Sequence, residues 1–125
     1  MGATLIGVGL DVVDLDRFRA VLARTPTVAG RLFTEDERSY AAEQRDPTAR
    51  LAVRFAAKEA TMKALGVGLG AFAFQDVEVV RLASQAPSLH LRGRAAELAA
   101  ARGVAQWQVS LTHGDLVAEA LVIAL

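Results

Sequence analysis

Arg54-Phe55-Ala56-Ala57-Lys58-Glu59-Ala60-Thr61-Met62-Lys63-Ala64-Leu65 is a run dominated by strong helix formers. Asp46 and Pro47 suit the N-cap and the first position of a helix, and Gly66 suits its C-terminal cap. The sequence therefore predicts one long helix from Pro47 to Leu65, with the other elements packed around it.

The charged residues of this helix fall into two strips. At roughly 100° per residue, Arg54, Lys58 and Thr61 share one side, which has the composition of a solvated face. Glu59 and Lys63, spaced i and i+4, form a second strip between apolar neighbours. A carboxylate among apolar side chains is costly unless a partner binds it. Two interpretations stay open: a helix salt bridge at the edge of the core, or a cation site at Glu59 beside a phosphate contact at Lys63.

Composition excludes several classes of protein. The chain has 125 residues, which suits a single domain over 1–125, with 53% apolar and 22% charged residues and no net charge. Zero net charge argues against nucleic-acid or membrane partners. The lack of cysteine excludes disulfides and thiolate chemistry. No signal peptide or membrane span is recognisable, so we expect a cytoplasmic protein.

The first apolar run, Leu5 to Val13, predicts a strand on which Gly7, Gly9 and Asp11 share one face. Two glycines beside an acid leave open space next to the carboxylate. Glycine in a strand often marks the close approach of a ligand or of another backbone. A bulge or tight turn explains the same glycines equally well.

A basic segment follows this strand. Asp14 is a suitable N-cap for a helix from Leu15 to about Ala23. From Arg17 to Arg31 the chain carries four arginines, at positions 17, 19, 24 and 31, and no acid. Such a run is usually a solvated helix face, and its alternative is a docking surface for an acidic partner.

The remaining elements alternate irregularly. Thr34 and Glu37 form a capping box for a helix that runs to about Gln44. Strands are predicted over 77–82, 88–92, 107–112 and 116–124, with a helix over 94–102 between the two pairs. This order of one strand, three helices, two strands, one helix and two strands lacks a regular βαβ alternation and favours an α+β fold.

The chemistry-bearing residues are few. The sequence has no Walker motif, dinucleotide fingerprint or G-x-S-x-G elbow. His113 ends a predicted strand beside a Gly-Asp turn, where ligand-facing residues are common, although a lone histidine is more often structural. Asp11 and Glu59 remain as two oxygen ligands, a set that suits Mg²⁺ bridging to substrate phosphates.

Several motifs in order resemble the holo-acyl-carrier-protein synthases, the small trimeric class of 4′-phosphopantetheinyl transferases. Gly9-Leu10-Asp11 followed by Arg17 resembles the first signature of this family, and the stretch from Arg54 to Gly66 resembles the second. Further matching segments are Phe33-Thr34 with Glu37 and Tyr40, Phe74 to Val77, and Val109 to His113. The resemblance covers nearly the whole chain.

The resemblance implies a fold, a reaction and a set of site residues. It implies a homotrimer with an antiparallel sheet against a long central helix, and transfer of phosphopantetheine from coenzyme A to a serine of apo acyl carrier protein. Adenosine 3′,5′-bisphosphate is the second product. The implied roles are Mg²⁺ ligation by Asp11 and Glu59, phosphate contact by Lys63, coenzyme A binding by Arg54, Gly66 and His113, and carrier-protein contact by Arg17, with Arg24 on the same surface.

This sequence also departs from the family. The hairpin turn Gln85-Ala86-Pro87 keeps only the proline of a frequent Gly-Lys-Pro, and Gly114 replaces a frequent threonine after the histidine. These changes bear on affinity for coenzyme A or carrier protein. The alternative function is a non-catalytic trimeric module that binds coenzyme A or a related nucleotide, but such a module has no use for paired acids at positions 11 and 59.

Overall fold

The computed structural model describes residues 4–125 and has the expected α+β architecture. Its strands are β1 (Gly7–Asp14), β2 (Val77–Arg81), β3 (Pro87–Leu91), β4 (Trp107–His113) and β5 (Val117–Ala124). Its helices are α1 (Leu15–Arg24), α2 (Val28–Leu32), α3 (Glu35–Ala42), α4 (Pro47–Leu65) and α5 (Gly93–Ala101), and a 3₁₀ turn spans Phe74–Asp76. Within residues 4–125, no helix is both long and apolar enough to cross a membrane.

All strand pairings within the described residues are antiparallel. One sheet has the order β1-β5-β4, and β2 and β3 form a separate hairpin. Helix α4 packs across β1 and β5 and carries much of the apolar core. A second apolar cluster lies between the C-terminal half of α4 and α5. The long helix is therefore the central element on which the other elements pack.

The predicted ends of α4 are confirmed. The Asp46 side chain accepts a hydrogen bond from the Ala49 amide, and Pro47 occupies the first turn. Gly66 ends the helix with a φ of 69°, a left-handed conformation that favours glycine. The predicted capping box is also present, since Thr34 and Glu37 satisfy each other at the start of α3.

The expected solvated face of α4 is wrong. Arg54, Lys58 and Thr61 are all buried, with 2%, 0% and 0% of their surface exposed. The Thr61 hydroxyl donates to the Ala57 carbonyl, and Lys58 donates to a buried carboxylate from α3. Lys58 pairs with Glu37 on α3, and the Arg54 guanidinium packs on the Tyr40 ring of the same helix, contacts that a periodic pattern within α4 does not reveal.

The glycine face of β1 contacts the α4 backbone directly. A methyl group built on Gly9 would lie 1.7 Å from the carbonyl oxygen of Ala60, and one on Gly7 would lie 1.8 Å from that of Ala64. The glycines therefore mark the close approach of another backbone, and the space that Gly7 and Gly9 leave is filled by helix α4. The opposite face of β1 carries Val8, Leu10 and Val12, which are exposed.

Two further expectations need correction. The first strand begins at Gly7 rather than Leu5, and the one-turn helix α2 was not predicted. Its five residues are too few to show a helical period, and the N-cap residue Thr27 makes no side-chain capping bond. The other boundaries agree with the prediction within two residues.

The contact between β1 and α4 predicts a strong effect of Gly9→Ala. The added methyl group meets helix backbone, which cannot rotate away as a side chain can, so the unfolding free energy should fall by at least about 2 kcal/mol. Urea unfolding followed by circular dichroism measures this change. Gly68→Ala is the matched control, because a methyl group there meets no atom within 4 Å and the backbone has no positive φ. Equal stability of the two variants would contradict the tight contact.

Candidate functional site

Asp11, Glu59 and Lys63 come together where β1 crosses α4. The Lys63 Nζ atom lies 3.1 Å from Asp11 Oδ1 and donates to the Leu10 carbonyl at 2.8 Å. The lysine side chain is half exposed, whereas the aspartate is nearly buried. Lys63 therefore forms its ion pair with Asp11, and the helix salt bridge considered from sequence is not the pairing in the structure.

Glu59 is half-buried beside this pair. Burial raises the pKa of the Glu59 carboxyl above its ordinary value, the negative charge of Asp11 raises it further, and Lys63 lowers it. Two carboxylates facing one space at close range favour a shared cation or proton. The arrangement agrees with the interpretation of Glu59 as a cation ligand rather than as one half of a surface ion pair.

A cavity of about 540 Å³ opens from these carboxylates. Asp11, Glu59 and Arg17 stand on its wall with Asp14, and the rest of its lining is apolar. The apolar lining consists of Val12, Val13, Phe18, Val21, Val28, Leu32, Phe55, Leu69 and Phe74. The shape and chemistry suit an extended ligand with a charged group at the carboxylates and a less polar arm along the aromatic wall.

The donor set is compatible with a hard divalent cation. Within residues 4–125, no cluster of three or more His, Cys, Asp or Glu side chains lies close enough to hold a metal, so a site for Zn²⁺ or a closed protein cage is not formed there. Two carboxylates with open positions are the protein share that Mg²⁺ typically takes, with water and phosphate oxygens completing its shell. Asp11 and Glu59 are the residues that would hold it.

A second pocket, of about 270 Å³, lies on another side of α4. Arg50, Arg54, Arg81 and His113 line it with Thr112 and apolar residues, and no acid is among its lining residues. The structure thus brings two of the predicted nucleotide contacts, Arg54 and His113, into one basic pocket. A pocket with this lining favours a phosphate or another anion.

Arg54 is held there by unusual contacts. Its guanidinium carbon lies 4.5 Å from the centre of the Tyr40 ring, and one terminal nitrogen donates to the Arg50 carbonyl at 3.1 Å. Its buried Nε atom has no hydrogen-bond partner within residues 4–125. Burial lowers the pKa of Arg54, yet a guanidinium remains charged at neutral pH. The pocket therefore keeps a positive charge beside Arg50 and Arg81, which suits an anionic ligand.

Two of the predicted site residues, Gly66 and Arg24, line neither the large cavity nor the basic pocket. Gly66 stands at the C-terminal end of α4, beside the Arg102 side chain and twelve positions along the helix from Arg54. Arg24 is exposed at the end of α1, and only Arg17 of the basic run lines the large cavity. A single chain therefore does not gather all predicted coenzyme A contacts into one site.

Several residues of these pockets were not predicted. Arg50 stands four positions before Arg54 on the same helix side, so spacing alone was enough to find it. Arg81 lines the basic pocket from β2, and its guanidinium carbon lies 5.0 Å from the centre of the Tyr40 ring on α3. Those contacts depend on tertiary packing, for which the sequence offers no local signal.

Comparison with known proteins agrees with the geometry. The family model of the 4′-phosphopantetheinyl transferase superfamily matches residues 7–122. A holo-[acyl-carrier-protein] synthase of Frankia casuarinae is 51% identical over 120 residues, which cover 96% of this chain and 97% of that protein.

Solved structures extend the comparison to the fold. The crystal structure of a holo-[acyl-carrier-protein] synthase from Neisseria meningitidis superposes with a TM-score of 0.89 at 28% identity, covering 98% of this chain and 99% of that one. The structure of a holo-(acyl-carrier-protein) synthase from Bacillus anthracis, in complex with coenzyme A (3′,5′-ADP), superposes with a TM-score of 0.80 at 30% identity. The superposition covers 98% of this chain and 97% of that one.

The family model and the relatives that match along nearly the whole chain assign it to the group-transfer enzymes. Within that class, this chain belongs to the 4′-phosphopantetheinyl transferase superfamily.

Proposed function

We propose that this protein transfers the 4′-phosphopantetheine group of coenzyme A to a serine of an apo acyl carrier protein and releases adenosine 3′,5′-bisphosphate. The observation that carries the proposal is the meeting of Asp11 and Glu59 on the wall of a largely apolar cavity, with Lys63 paired to Asp11. The carboxylates and the lysine suit the pyrophosphate, and the cavity suits the pantetheine arm.

The reaction is a displacement at the phosphorus that carries pantetheine. The serine hydroxyl oxygen bonds to this phosphorus while the bond to the bridging oxygen of the pyrophosphate breaks, and the nucleotide leaves with the electron pair. Mg²⁺ held by Asp11 and Glu59 would supply charge neutralisation at the pyrophosphate. Lys63 adds a positive point charge from the same helix and stabilises the departing phosphate.

Glu59 is our candidate for the group that accepts the serine proton. Burial and the charge of Asp11 raise the pKa of the Glu59 carboxyl, and Lys63 lowers it. Its half-buried position on the cavity wall places it within reach of a serine presented at the carboxylate end.

The basic pocket around Arg54 and His113 would bind the nucleotide phosphate of coenzyme A. Arg54 and Glu59 are five residues apart on α4, so their side chains point roughly 140° apart. The two pockets consequently face different directions in one chain. A ligand that uses both must lie between two copies, with the carboxylates from one and the basic pocket from its neighbour.

An exposed apolar surface supports this assembly. Val8, Leu10 and Val12 stand in a row on the outer face of β1, with 49%, 57% and 54% of their surface exposed. Leu121 on β5 pairs directly with Leu10 in the sheet and is also exposed. A continuous apolar patch of this kind is typical of an interface, and we propose that it joins three copies into a homotrimer.

The acidic carrier protein would dock at α1. Arg17 is exposed on this helix and also lines the large cavity, so a partner bound to it presents its serine near Glu59. Arg24 lies two turns further along the same helix, whereas Arg19 is engaged with Asp46 at 3.6 Å. Arg17 and Arg24 are therefore the proposed carrier-protein contacts.

The transfer is tested by the intact mass of an apo acyl carrier protein incubated with this protein, coenzyme A and Mg²⁺. We expect the mass of one phosphopantetheine group to be added, and EDTA to prevent it. Glu59→Gln and Asp11→Ala should remain folded and slow the transfer by at least about 100-fold, because they remove the base and the proposed metal ligands. Glu43→Gln, which changes an exposed acid directly after α3, is the control. Coenzyme A binding without any mass gain would favour the non-catalytic module.

The docking surface predicts a selective effect of Arg17→Glu. Reversing this charge should raise the KM for carrier protein by about tenfold and the KM for coenzyme A by less, since Arg17 does not line the basic pocket proposed for the nucleotide phosphate. Steady-state kinetics with each substrate varied in turn measures the two constants. Arg94→Glu on α5 carries the same charge change as a control. Equal losses for both substrates would remove Arg17 from the docking surface.

The shared site predicts complementation between inactive variants. When Glu59→Gln and His113→Ala chains are produced together, mixed trimers contain some interfaces with both intact halves, and transfer activity should return. Glu59→Gln with Asp11→Ala is the matched control, because both changes lie in the same half-site and no interface is restored. Sedimentation equilibrium should give the mass of three chains. An inactive mixture of trimers in the first pair would show that each site belongs to one chain.

A further inference from the structure

Lys58 is fully buried at the centre of the molecule, next to Glu59 on α4. Its Nζ atom donates to Glu37 Oε1 at 2.8 Å, to the Phe74 carbonyl at 3.1 Å and to the Val77 carbonyl. All three donors of the ammonium group are therefore used. The lysine joins α4 to α3 and to the segment that enters β2.

Glu37 is equally well held. Its Oε1 atom accepts the Thr34 amide at 3.0 Å in addition to Lys58, and its Oε2 atom accepts the Val79 amide at 3.0 Å. The Thr34 hydroxyl in turn donates to Glu78 on β2. The carboxylate is buried completely, so each of these bonds is formed out of contact with water.

A buried ion pair of this kind contributes little net stability. The cost of removing both charges from water offsets most of their attraction, and apolar residues of similar volume often serve the fold as well. What the pair does supply is one defined arrangement, because any rotation of α4 would leave a buried charge without its partners. The pair therefore determines the rotation of the helix.

The same lysine also positions a wall of the cavity. Lys58 donates to the backbone carbonyl of Phe74. The ring of Phe74 stacks on the ring of Phe55, with ring centres 5.5 Å apart. Phe55 contacts Phe18 at the same distance, and all three rings line the cavity beside Glu59. One buried ammonium group thus controls both the direction of Glu59 and the position of the aromatic wall.

We propose that Lys58 and Glu37 are a positioning pair for the transfer reaction: they orient α4 and Phe74 so that Glu59 meets Asp11 at the end of the cavity. Neither residue lines that cavity, so neither is a catalytic residue. This inference rests on the proposed function, since the pair is proposed to position Glu59 for that transfer reaction.

The test compares Lys58→Met with Met62→Ala. Methionine has the length of lysine without its charge, and Met62 is buried on the same helix but in the second apolar cluster, away from both pockets. At a temperature at which circular dichroism shows both variants folded, Lys58→Met should lower kcat by roughly 10- to 100-fold. It should also weaken Mg²⁺ binding in calorimetry. Met62→Ala should lower the unfolding midpoint and keep the kcat and Mg²⁺ affinity of the wild type.

Glu37→Gln is the second variant, and it tests the positioning role of the pair if Lys58→Met does not fold. It keeps the volume of the side chain but removes the charge that pairs with Lys58, and we expect losses in the same two quantities. The double variant should be no slower than the slower single variant, because residues that act as one unit are not additive. A folded Lys58→Met or Glu37→Gln with the kcat and Mg²⁺ affinity of Met62→Ala would overturn the inference. Absence of transfer by the wild type would instead contradict the proposed function.

Discussion

The contact between the β1 and α4 backbones is the constraint on which the candidate site depends. Glycine at positions 7 and 9 allows helix carbonyls to lie where a methyl group would otherwise stand. Glycine weakens a strand, because it has no side chain to pack. In β1 it also allows the strand backbone to contact the backbone of α4, which no larger residue would permit. Asp11 follows Gly9 by two residues on the same face, so the contact that seats the helix also sets the separation of Asp11 from Glu59 and Lys63.

The charged side chains of helix α4 point into different environments. Arg54 is directed to the basic pocket, Lys58 to the buried carboxylate of Glu37, and Glu59 to the large cavity. Lys63 is directed to Asp11 on β1. Burying Lys58 is costly unless its ammonium group is fully engaged, and the cost of disengaging it resists any rotation of the helix. Part of the rigidity of the site therefore comes from a buried charge that does not touch the proposed substrate.

Local signals in the sequence predicted much of this architecture. Caps and turn residues act within a few positions, so the limits of α4 and the capping box at Thr34 were readable. The burial of Lys58 was not, because its partner Glu37 lies 21 residues away and a helical period shows direction without showing neighbours. The family resemblance indicated Asp11 and Glu59 as a pair, whereas the place of Arg81 in the basic pocket, and the contact of Tyr40 with Arg54 and Arg81, required the packed structure. Glycine in β1 was ambiguous for the same reason, since the helix it contacts is remote in sequence.

The charge distribution explains how a neutral chain can recognise acidic molecules. With 14 basic and 14 acidic residues the whole molecule exerts no long-range attraction, and screening limits charge effects to about 10 Å at 0.1 M salt. Recognition must then depend on local surfaces of one sign. The basic pocket is such a surface and faces a different direction from the acidic pair, whereas Arg17 of α1 lines the cavity beside that pair. The two pockets therefore differ in the sign of their charge, and this difference allows a phosphate group to distinguish one from the other.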